Sequence, residues 1–249
     1  MGNELLLEKV ANAFRSDNRI GSEDPIRLKS LLSRLNVITV FRPLGGEFSG
    51  MAVKIRNDQT EAFRFMLVNS NHSLGKQHFT ICHELYHLCI QKEFSSRRCI
   101  TGVFDLKDKE EYHADIFAAY LLLPENGILG LIPNEELAKN KISLKTVLKI
   151  EQYYSCSRGA LLFRLKGLKL IDSSKYNEFN IGIKKSALTH GYGTELYKAG
   201  NENQFLGDYG SIANELFQKG LISESHYMSL LLDLGMEDSD VEKLFNGQE

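Results

Sequence analysis

The sequence predicts an α+β fold, in which a small mixed or antiparallel sheet and one buried helix precede an all-helical C-terminal extension. Two short runs of strand-forming residues, 50–55 and 62–68, flank Asn57-Asp58, a pair typical of hairpin turns. Residues 74–91 show helical periodicity, with apolar residues on one side and a polar group on the other. From residue 142 onward, apolar residues again recur at helical spacing. These three observations predict the sheet, the helix packed on it and the helical remainder.

The remaining elements follow from the same kinds of pattern. A strand is expected at residues 37–41, and residues 92–107 show no periodic pattern and are expected to form a loop. Ser157 is expected to cap a helix after the tight turn at residues 155–157. Helices other than 74–91 are expected, in chain order, at residues 4–15, 27–35, 110–123, 142–154, 158–168, 209–219, 223–234 and 239–245.

Residues 83–87 read His-Glu-Leu-Tyr-His, which is an H-E-x-x-H motif. Residues four apart lie on one face of an α-helix, so His83 and His87 can bind the same metal ion. Glu84 lies about 100° round the helix from His83, which lets its carboxylate reach a water activated by that metal. The alternative is a buried helix with two structural histidines, but three polar groups on a half-buried face need a partner. The motif predicts a zinc centre, although Mn²⁺ or Fe²⁺ can also occupy such a site.

A catalytic zinc usually has three protein ligands, and the motif supplies two. The candidates for the third lie on the predicted helix 110–123 and are Glu110, Glu111, His113 and Asp115. Glu111 and Asp115 are four residues apart and share one face with two alanines, which would let this helix approach another closely. We therefore expect Glu111 to bind the metal and Asp115 to orient a ligating histidine. The alternative for Glu111 is an exposed acid stabilised by the helix dipole.

Three segments resemble the ImmA/IrrE metallopeptidases. Residues 78–87 read HFTICHELYH, which is similar to the family's R-F-T-x-A-H-E-L-G-H. Residues 111–124 read EYHADIFAAYLLLP, which is similar to E-x-x-A-N-x-F-A-A-x-L-L-M-P. Residues 160–168, ALLFRLKGL, resemble a later helix of the same family. The resemblance covers about residues 37–171.

The resemblance implies a zincin-like peptidase core followed by a helical extension. Carried over by position, His83, His87 and Glu111 hold the metal and Glu84 is catalytic. Members of the family typically cleave a repressor-type transcription factor in phage, mobile-element or stress-response circuits, so the expected partner is a helix-turn-helix repressor. The sequence departs from the family pattern where Tyr86 replaces Gly, Cys82 replaces Ala and Asp115 replaces Asn. These changes leave the expected metal ligands in place.

The charge distribution adds a division into three regions. Residues 139–171 hold eight Lys and Arg and one Glu, whereas residues 201–249 hold ten Asp and Glu and two Lys. We expect a zincin-like domain at residues 1–135, a basic helix-turn-helix-like segment at 136–171 and an acidic helical region at 172–249. The net charge of −2 does not indicate a nucleic-acid-binding protein as a whole.

Peptide hydrolysis at such a centre needs a further donor for the developing oxyanion and a place for the peptide. The residues that can supply the donor or contact substrate are His78, Tyr86, Tyr112 and His113. The predicted strands 50–55 and 62–68 precede the motif helix, so either can bind substrate by strand addition.

Two other functions compete with hydrolysis. The chain can hold a metal without catalysis and act as a binding partner of a toxin, antitoxin or regulator. It can also bind DNA directly through residues 139–171, although a basic helical face is more often simply solvated. An intact Glu84 argues against the first alternative, because a scaffold needs no base.

The cysteines and the N-terminus indicate the compartment. None of the four cysteines, Cys82, Cys89, Cys99 and Cys156, forms a C-x-x-C pair, which suits reduced thiols in a cytoplasmic protein. The apolar run near the N-terminus is too short for a secretory signal, and the longest apolar run, residues 116–123, is too short for a membrane span.

Overall fold

The computed structural model describes residues 2–57 and 60–246 and contains a five-stranded mixed sheet. The sheet has the order β4-β2-β3-β1-β5; β1 and β3 are parallel, and the other neighbours are antiparallel. The β2–β3 pair is the predicted hairpin, although Asp58 of the predicted turn lies outside the described residues. The strands are β1 (Val37–Arg42), β2 (Gly50–Asn57), β3 (Thr60–Asn69), β4 (Ser96–Cys99) and β5 (Phe205–Leu206).

Twelve α-helices lie within the described residues, and each helix predicted from the sequence is among them. The sequence patterns missed α5, α8 and α9, which are seven residues each and too short to show clear periodicity. The helices are α1 (Gly2–Asp17), α2 (Leu28–Arg34), α3 (Leu74–Leu85), α4 (Lys109–Leu122), α5 (Glu125–Leu131), α6 (Leu144–Tyr154), α7 (Arg158–Gly167), α8 (Ser173–Phe179), α9 (Ile183–Thr189), α10 (Tyr209–Gln218), α11 (Glu224–Asp233) and α12 (Asp238–Asn246).

Three predictions about the strands need correction. Residues 92–107 are not all loop, because β4 lies within them and pairs with β2. The C-terminal region is not all-helical, because β5 pairs with β1 at the far edge of the sheet. The strands expected to accept substrate are also less free than predicted: β3 is interior, and β2 is covered by β4 over residues 50–53. The edge strand near α3 is β4.

The helices α3 and α4 pack against each other in the core of the N-terminal half. Ala114 and Ala118 on α4 are fully buried, and such small side chains allow the close approach expected from the sequence. Phe117 of the same helix makes an edge-to-face contact with Phe14 of α1, with ring centroids 5.8 Å apart. The α4 helix is thus fixed between α1 and α3, and it begins at the cap residue Asp108, whose carboxylate accepts from the Glu111 amide.

Within the described residues, no single helix has the length and apolar composition needed to cross a membrane. The pair α4 and α5, bent by 46° at their junction, meets that test jointly by length and composition.

The α6–turn–α7 segment is joined by a buried ion pair. Ser157 caps α7 by accepting from the Ala160 amide, as predicted. Arg158, the first residue of α7, donates to the Glu151 carboxylate of α6 and to the Phe179 carbonyl oxygen. Both charged side chains are buried, so removal of either one leaves the charge of the other uncompensated.

We predict that Arg158→Ala lowers the free energy of unfolding by about 3–5 kcal/mol, because it leaves the Glu151 carboxylate buried and unpaired. The double change Arg158→Met with Glu151→Leu is expected to recover most of that loss. Urea denaturation of both variants, with the exposed Lys141→Ala as control, measures the difference. Equal destabilisation of the single and double variants would contradict the prediction.

Candidate metal centre

The two motif histidines project from the end of α3 with their ring nitrogens facing each other. His83 lies on α3, and His87 lies on a single π-helical turn, Tyr86–Ile90, that continues the helix. Both side chains are completely buried, and their Nε2 atoms are 3.2 Å apart. Turns of this kind are frequent at functional sites because they change the direction of side chains within a helix.

The Nδ1 atom of each ring is held by a different side chain. His83 Nδ1 lies 2.9 Å from Asp115 Oδ1, and His87 Nδ1 lies 2.7 Å from Gln91 Oε1. If each Nδ1 carries the proton and donates it to these oxygens, each Nε2 presents a lone pair. The rings are therefore oriented to bind one cation through both Nε2 atoms.

Glu111 on α4 brings a carboxylate to the same point. Its Oε2 lies 3.3 Å from His83 Nε2, and its Oε1 lies 3.4 Å from His87 Nε2. Arg97 of β4 also contacts this carboxylate, with its Nε 2.9 Å from Oε1, and pairs with Asp108 at the start of α4. The arginine thereby helps to fix the Glu111 carboxylate.

The separations of these atoms suit a divalent metal. Nitrogen and oxygen ligands lie about 2.0–2.1 Å from a tetrahedral zinc, which places neighbouring ligand atoms about 3.3–3.4 Å from one another. The two Nε2 atoms are 3.2 Å apart, and each lies near a different oxygen of Glu111, His83 Nε2 at 3.3 Å from Oε2 and His87 Nε2 at 3.4 Å from Oε1. Two imidazoles and a carboxylate are also ligand types that bind zinc, iron and manganese. The donor set therefore fits a metal ion.

Glu84 occupies the side of the site next to the sheet. Its carboxylate is completely buried, and among the described residues its Oε1 has no hydrogen-bond partner. Burial raises the pKa of this carboxyl to about 7, although the nearby His83 and His87 counteract the shift. A Cβ atom at Gly50 of β2 would lie 2.7 Å from Glu84 Oε1, so only glycine lets the strand pass this close.

Asp115 connects the site to the segment that follows β4. Besides its contact with His83, Oδ1 accepts from the Gly102 amide at 2.9 Å, and Oδ2 accepts from the Phe104 amide at 2.8 Å. The His83 ring and two backbone amides therefore hold this buried carboxylate in place.

The charges of the cluster balance one another through hydrogen bonds. Burial lowers the pKa of His83, but hydrogen bonds with Asp115 and Glu111 outweigh this and raise it to about 10. Burial raises the pKa of Glu111, yet its contacts with His83 and His87 hold it well below its usual range. With no metal bound, a proton on His83 thus stands in for a cation between the two carboxylates.

The four residues that the sequence offered as oxyanion donors or substrate contacts have other partners in the structure. His78 Nδ1 lies 2.7 Å from the carbonyl oxygen of Ser155, at the α6–α7 turn. Tyr112 donates to Glu4 of α1 at 2.6 Å. His113 lies against the Tyr112 ring, with ring centroids 6.4 Å apart. Tyr86 packs its ring edge-on to His87 and donates its hydroxyl at 3.2 Å to Glu110, the remaining candidate for the third ligand.

Sequence reasoning missed three residues of this site. Cys99 at the end of β4 lies among the ligand atoms of His83, His87 and Glu111, all of them within 4.8 Å of one another. Arg97 and Gln91 contact Glu111 and His87. Gln91 is four residues after His87, a helical spacing that could have indicated it, whereas no local pattern points to β4.

The protein thus has a mixed α+β fold and a group of histidine, cysteine and glutamate side chains that can hold a divalent metal ion. A family model described as the IrrE N-terminal-like domain, Peptidase M78, matches residues 33–166, which is more than half of the chain. The chain therefore belongs to this ImmA/IrrE-like metallopeptidase family, as the sequence resemblance predicted.

A curated relative agrees with the family match. The chain is similar to "Metallopeptidase ImmA" of Bacillus subtilis (strain 168), with 33% identity over 67 residues. The match covers 27% of this chain and 40% of that relative, so the chain spans less than half of the length of the protein it matches.

We predict that Asp115→Ala weakens metal binding by roughly 10–100-fold, because His83 loses the acceptor that orients its ring. Competition between the protein and a chromophoric chelator for Zn²⁺ measures the change. Glu110→Ala is the matched control, since this acid lies on the same helix and faces Tyr86 instead of the histidines. Equal affinities of the Asp115 and Glu110 variants would contradict the orienting role.

We also predict that Gly50→Ala displaces Glu84 and lowers the free energy of unfolding by about 1–3 kcal/mol, a typical cost of overpacking. The added methyl would meet both Glu84 and Thr80 at 2.7 Å. Gly45→Ala is the control, because no heavy atom lies within 4 Å of its Cβ position. Thermal unfolding of both variants tests this, and equal midpoints would contradict it.

Proposed function

We propose that this chain is a zinc-dependent endopeptidase with a zincin-like core, which hydrolyses a peptide bond in a repressor-type transcription regulator. His83, His87 and Glu111 would hold the metal, and Glu84 would act as the base. Membership of a metallopeptidase family supports the reaction class. A helix-turn-helix repressor as substrate would put the reaction in the cytoplasm.

The observation that carries this proposal is the state of Glu84. A buried carboxylate oxygen without a hydrogen-bond partner costs about 1–3 kcal/mol, and Glu84 Oε1 is such an oxygen among the described residues. A water beside the histidines would remove this cost by donating to it. A protein that only held a metal would have no need of this acid.

Glu84 would transfer the proton in this reaction, and other side chains would hold the metal ligands in position. When bound, a divalent metal would lower the pKa of a water and polarise the scissile carbonyl. Glu84 takes the proton of the attacking water and passes it to the leaving amide nitrogen. Its pKa of about 7 suits a group that both accepts and releases a proton near neutral pH. Asp115 and Gln91 keep the imidazoles in place.

The outer edge of β4 is the best place for an extended peptide. In the sheet order β4 has a neighbour on one side only, β2, so its other side offers backbone groups to an added strand. The strand ends at Cys99, beside Glu84 and Glu111, so a peptide along it would pass the catalytic groups.

Direct DNA binding through residues 139–171 has less support. Arg158 and Arg164, two of the basic residues in this segment, are buried in contacts with Glu151, Glu8 and Glu125. Leu148, Leu161, Leu162 and Leu165 are also fully buried. Most of α7 therefore faces the protein interior, whereas a recognition helix must expose a face to the major groove.

We predict that Glu84→Gln lowers the rate of repressor cleavage by at least about 10²-fold while the protein still binds zinc, since the amide cannot accept the proton. The assay combines the purified chain with a candidate helix-turn-helix repressor and follows fragments by mass spectrometry. Glu202→Gln, an exposed acid far along the chain, is the control. Cleavage by the Glu84 variant at the unchanged rate would exclude Glu84 as the base.

A further inference from the structure

Cys99 stands where a fourth ligand of the metal centre would stand. It is the last residue of β4, and its position is fixed by pairing with Gly50 and by the Ser49 amide, which donates to the Cys99 carbonyl oxygen at 3.0 Å. Its side chain is buried, with Sγ 3.6 Å from Glu84 Oε2 and 3.7 Å from Glu111 Oε1. The thiol donates to both carboxylates, and its sulfur belongs to the same group of possible ligand atoms as Glu111 and the two histidines.

The distance from Cys99 Sγ to the Glu111 carboxylate also suits a metal ligand. With a zinc–sulfur bond of about 2.3 Å and a zinc–oxygen bond of about 2.1 Å, tetrahedral geometry places sulfur and oxygen about 3.6 Å apart. The observed distance between Cys99 Sγ and Glu111 Oε1 is 3.7 Å. The ligand atoms of Cys99, Glu111 and the two histidines all lie within 4.8 Å of one another. Three of the six separations, between the two Nε2 atoms, between His87 Nε2 and Glu111 Oε1, and between Glu111 Oε1 and Cys99 Sγ, thus match a tetrahedral set.

This set conflicts with the open position that a peptidase needs. Structural zinc sites have four protein ligands, whereas catalytic sites have three and keep one position for water. Glu84 is a second, independent sign of that position, because its buried Oε1 has no partner among the described residues although its Oε2 lies beside the thiol. Cys99 and a water molecule cannot both occupy the fourth position of the metal at the same time.

We propose that Cys99 is the fourth metal ligand in a resting form of the enzyme, its thiol proton passing to the adjacent Glu84 carboxylate as the metal binds. The thiolate must take a proton back and leave the metal before water can enter beside Glu84. The proposal rests on the proposed function and adds a latent state to it. The thiolate leaves by rotation about a single side-chain bond, without any change in the other three ligands. The short edge strand β4, held by β2 on one side only, also makes Cys99 the ligand easiest to displace.

A second consequence follows from the proposed site of the peptide. A strand added to the outer edge of β4 would contact the backbone on either side of Cys99. Substrate binding and release of the thiolate would then both involve the four residues of β4.

The full chain loaded with Co²⁺ in place of zinc tests the proposal, because cobalt reports its ligands by absorption. A thiolate ligand gives an intense charge-transfer band in the near ultraviolet, and a four-coordinate site gives weaker bands in the visible. We expect both in the unaltered protein. In Cys99→Ala and Cys99→Ser we expect loss of the near-ultraviolet band, retained visible bands and metal affinity weaker by roughly tenfold or more.

Cys89→Ala is the matched control, since this half-buried cysteine on the π-helical turn is outside the cluster, and its spectrum should be unchanged. Repressor cleavage by Cys99→Ala should be faster than that of the unaltered protein at saturating zinc. Visible bands without a thiolate band in the unaltered protein would overturn the proposal and leave the proposed function intact. Failure of the unaltered protein to bind cobalt or zinc would overturn both. The spectrum of the cobalt-loaded unaltered protein tests whether Cys99 is a ligand even if the variants fail to fold.

Discussion

The hydrogen bond between Asp115 and His83 is the contact on which the geometry of the centre depends. It joins α4 to α3 through two buried side chains 2.9 Å apart. The same carboxylate accepts from the amides of Gly102 and Phe104, just after β4. One acid therefore fixes a histidine ring, the distance between two helices and the chain that leaves Cys99. A substitution of Asp115 would therefore move all three of these parts of the site together.

The helical part of the site could be predicted because its information is local. His83 and His87, like Glu111 and Asp115, are four residues apart, and that spacing places each pair on one helix face. The structure brings both pairs to one point, because α3 and α4 pack against each other. The all-helical prediction for the C-terminal region failed only at β5, a two-residue strand formed by its partner β1.

The strand side of the site could not be predicted, because its information is long-range. β4 has the sequence Ser-Arg-Arg-Cys, which shows no alternation of apolar and polar residues and forms a strand only by pairing with β2. Cys99 and Arg97 enter the site through that pairing. His78 was one of four residues expected to donate to the oxyanion or to contact substrate; in the structure its Nδ1 lies 2.7 Å from the carbonyl oxygen of Ser155 in the α6–α7 turn.

The charges explain how such a site can fold before a metal binds. In the metal-free protein the pKa of His83 is raised to about 10 from the ordinary 6.5, so the imidazolium stabilises the folded chain fully below pH of about 6.5. This contribution decreases as the pH rises and is lost near pH of about 10, where His83 loses its proton in the folded protein too. A divalent cation that binds to Nε2 must displace this proton, so metal and proton compete for one buried position between Glu111 and Asp115. Because either cation neutralises the two carboxylates, the helices can pack in the same way with or without the metal. The histidine pair is then arranged for binding in advance, and Cys99 is the ligand whose position decides whether the loaded site is closed or open.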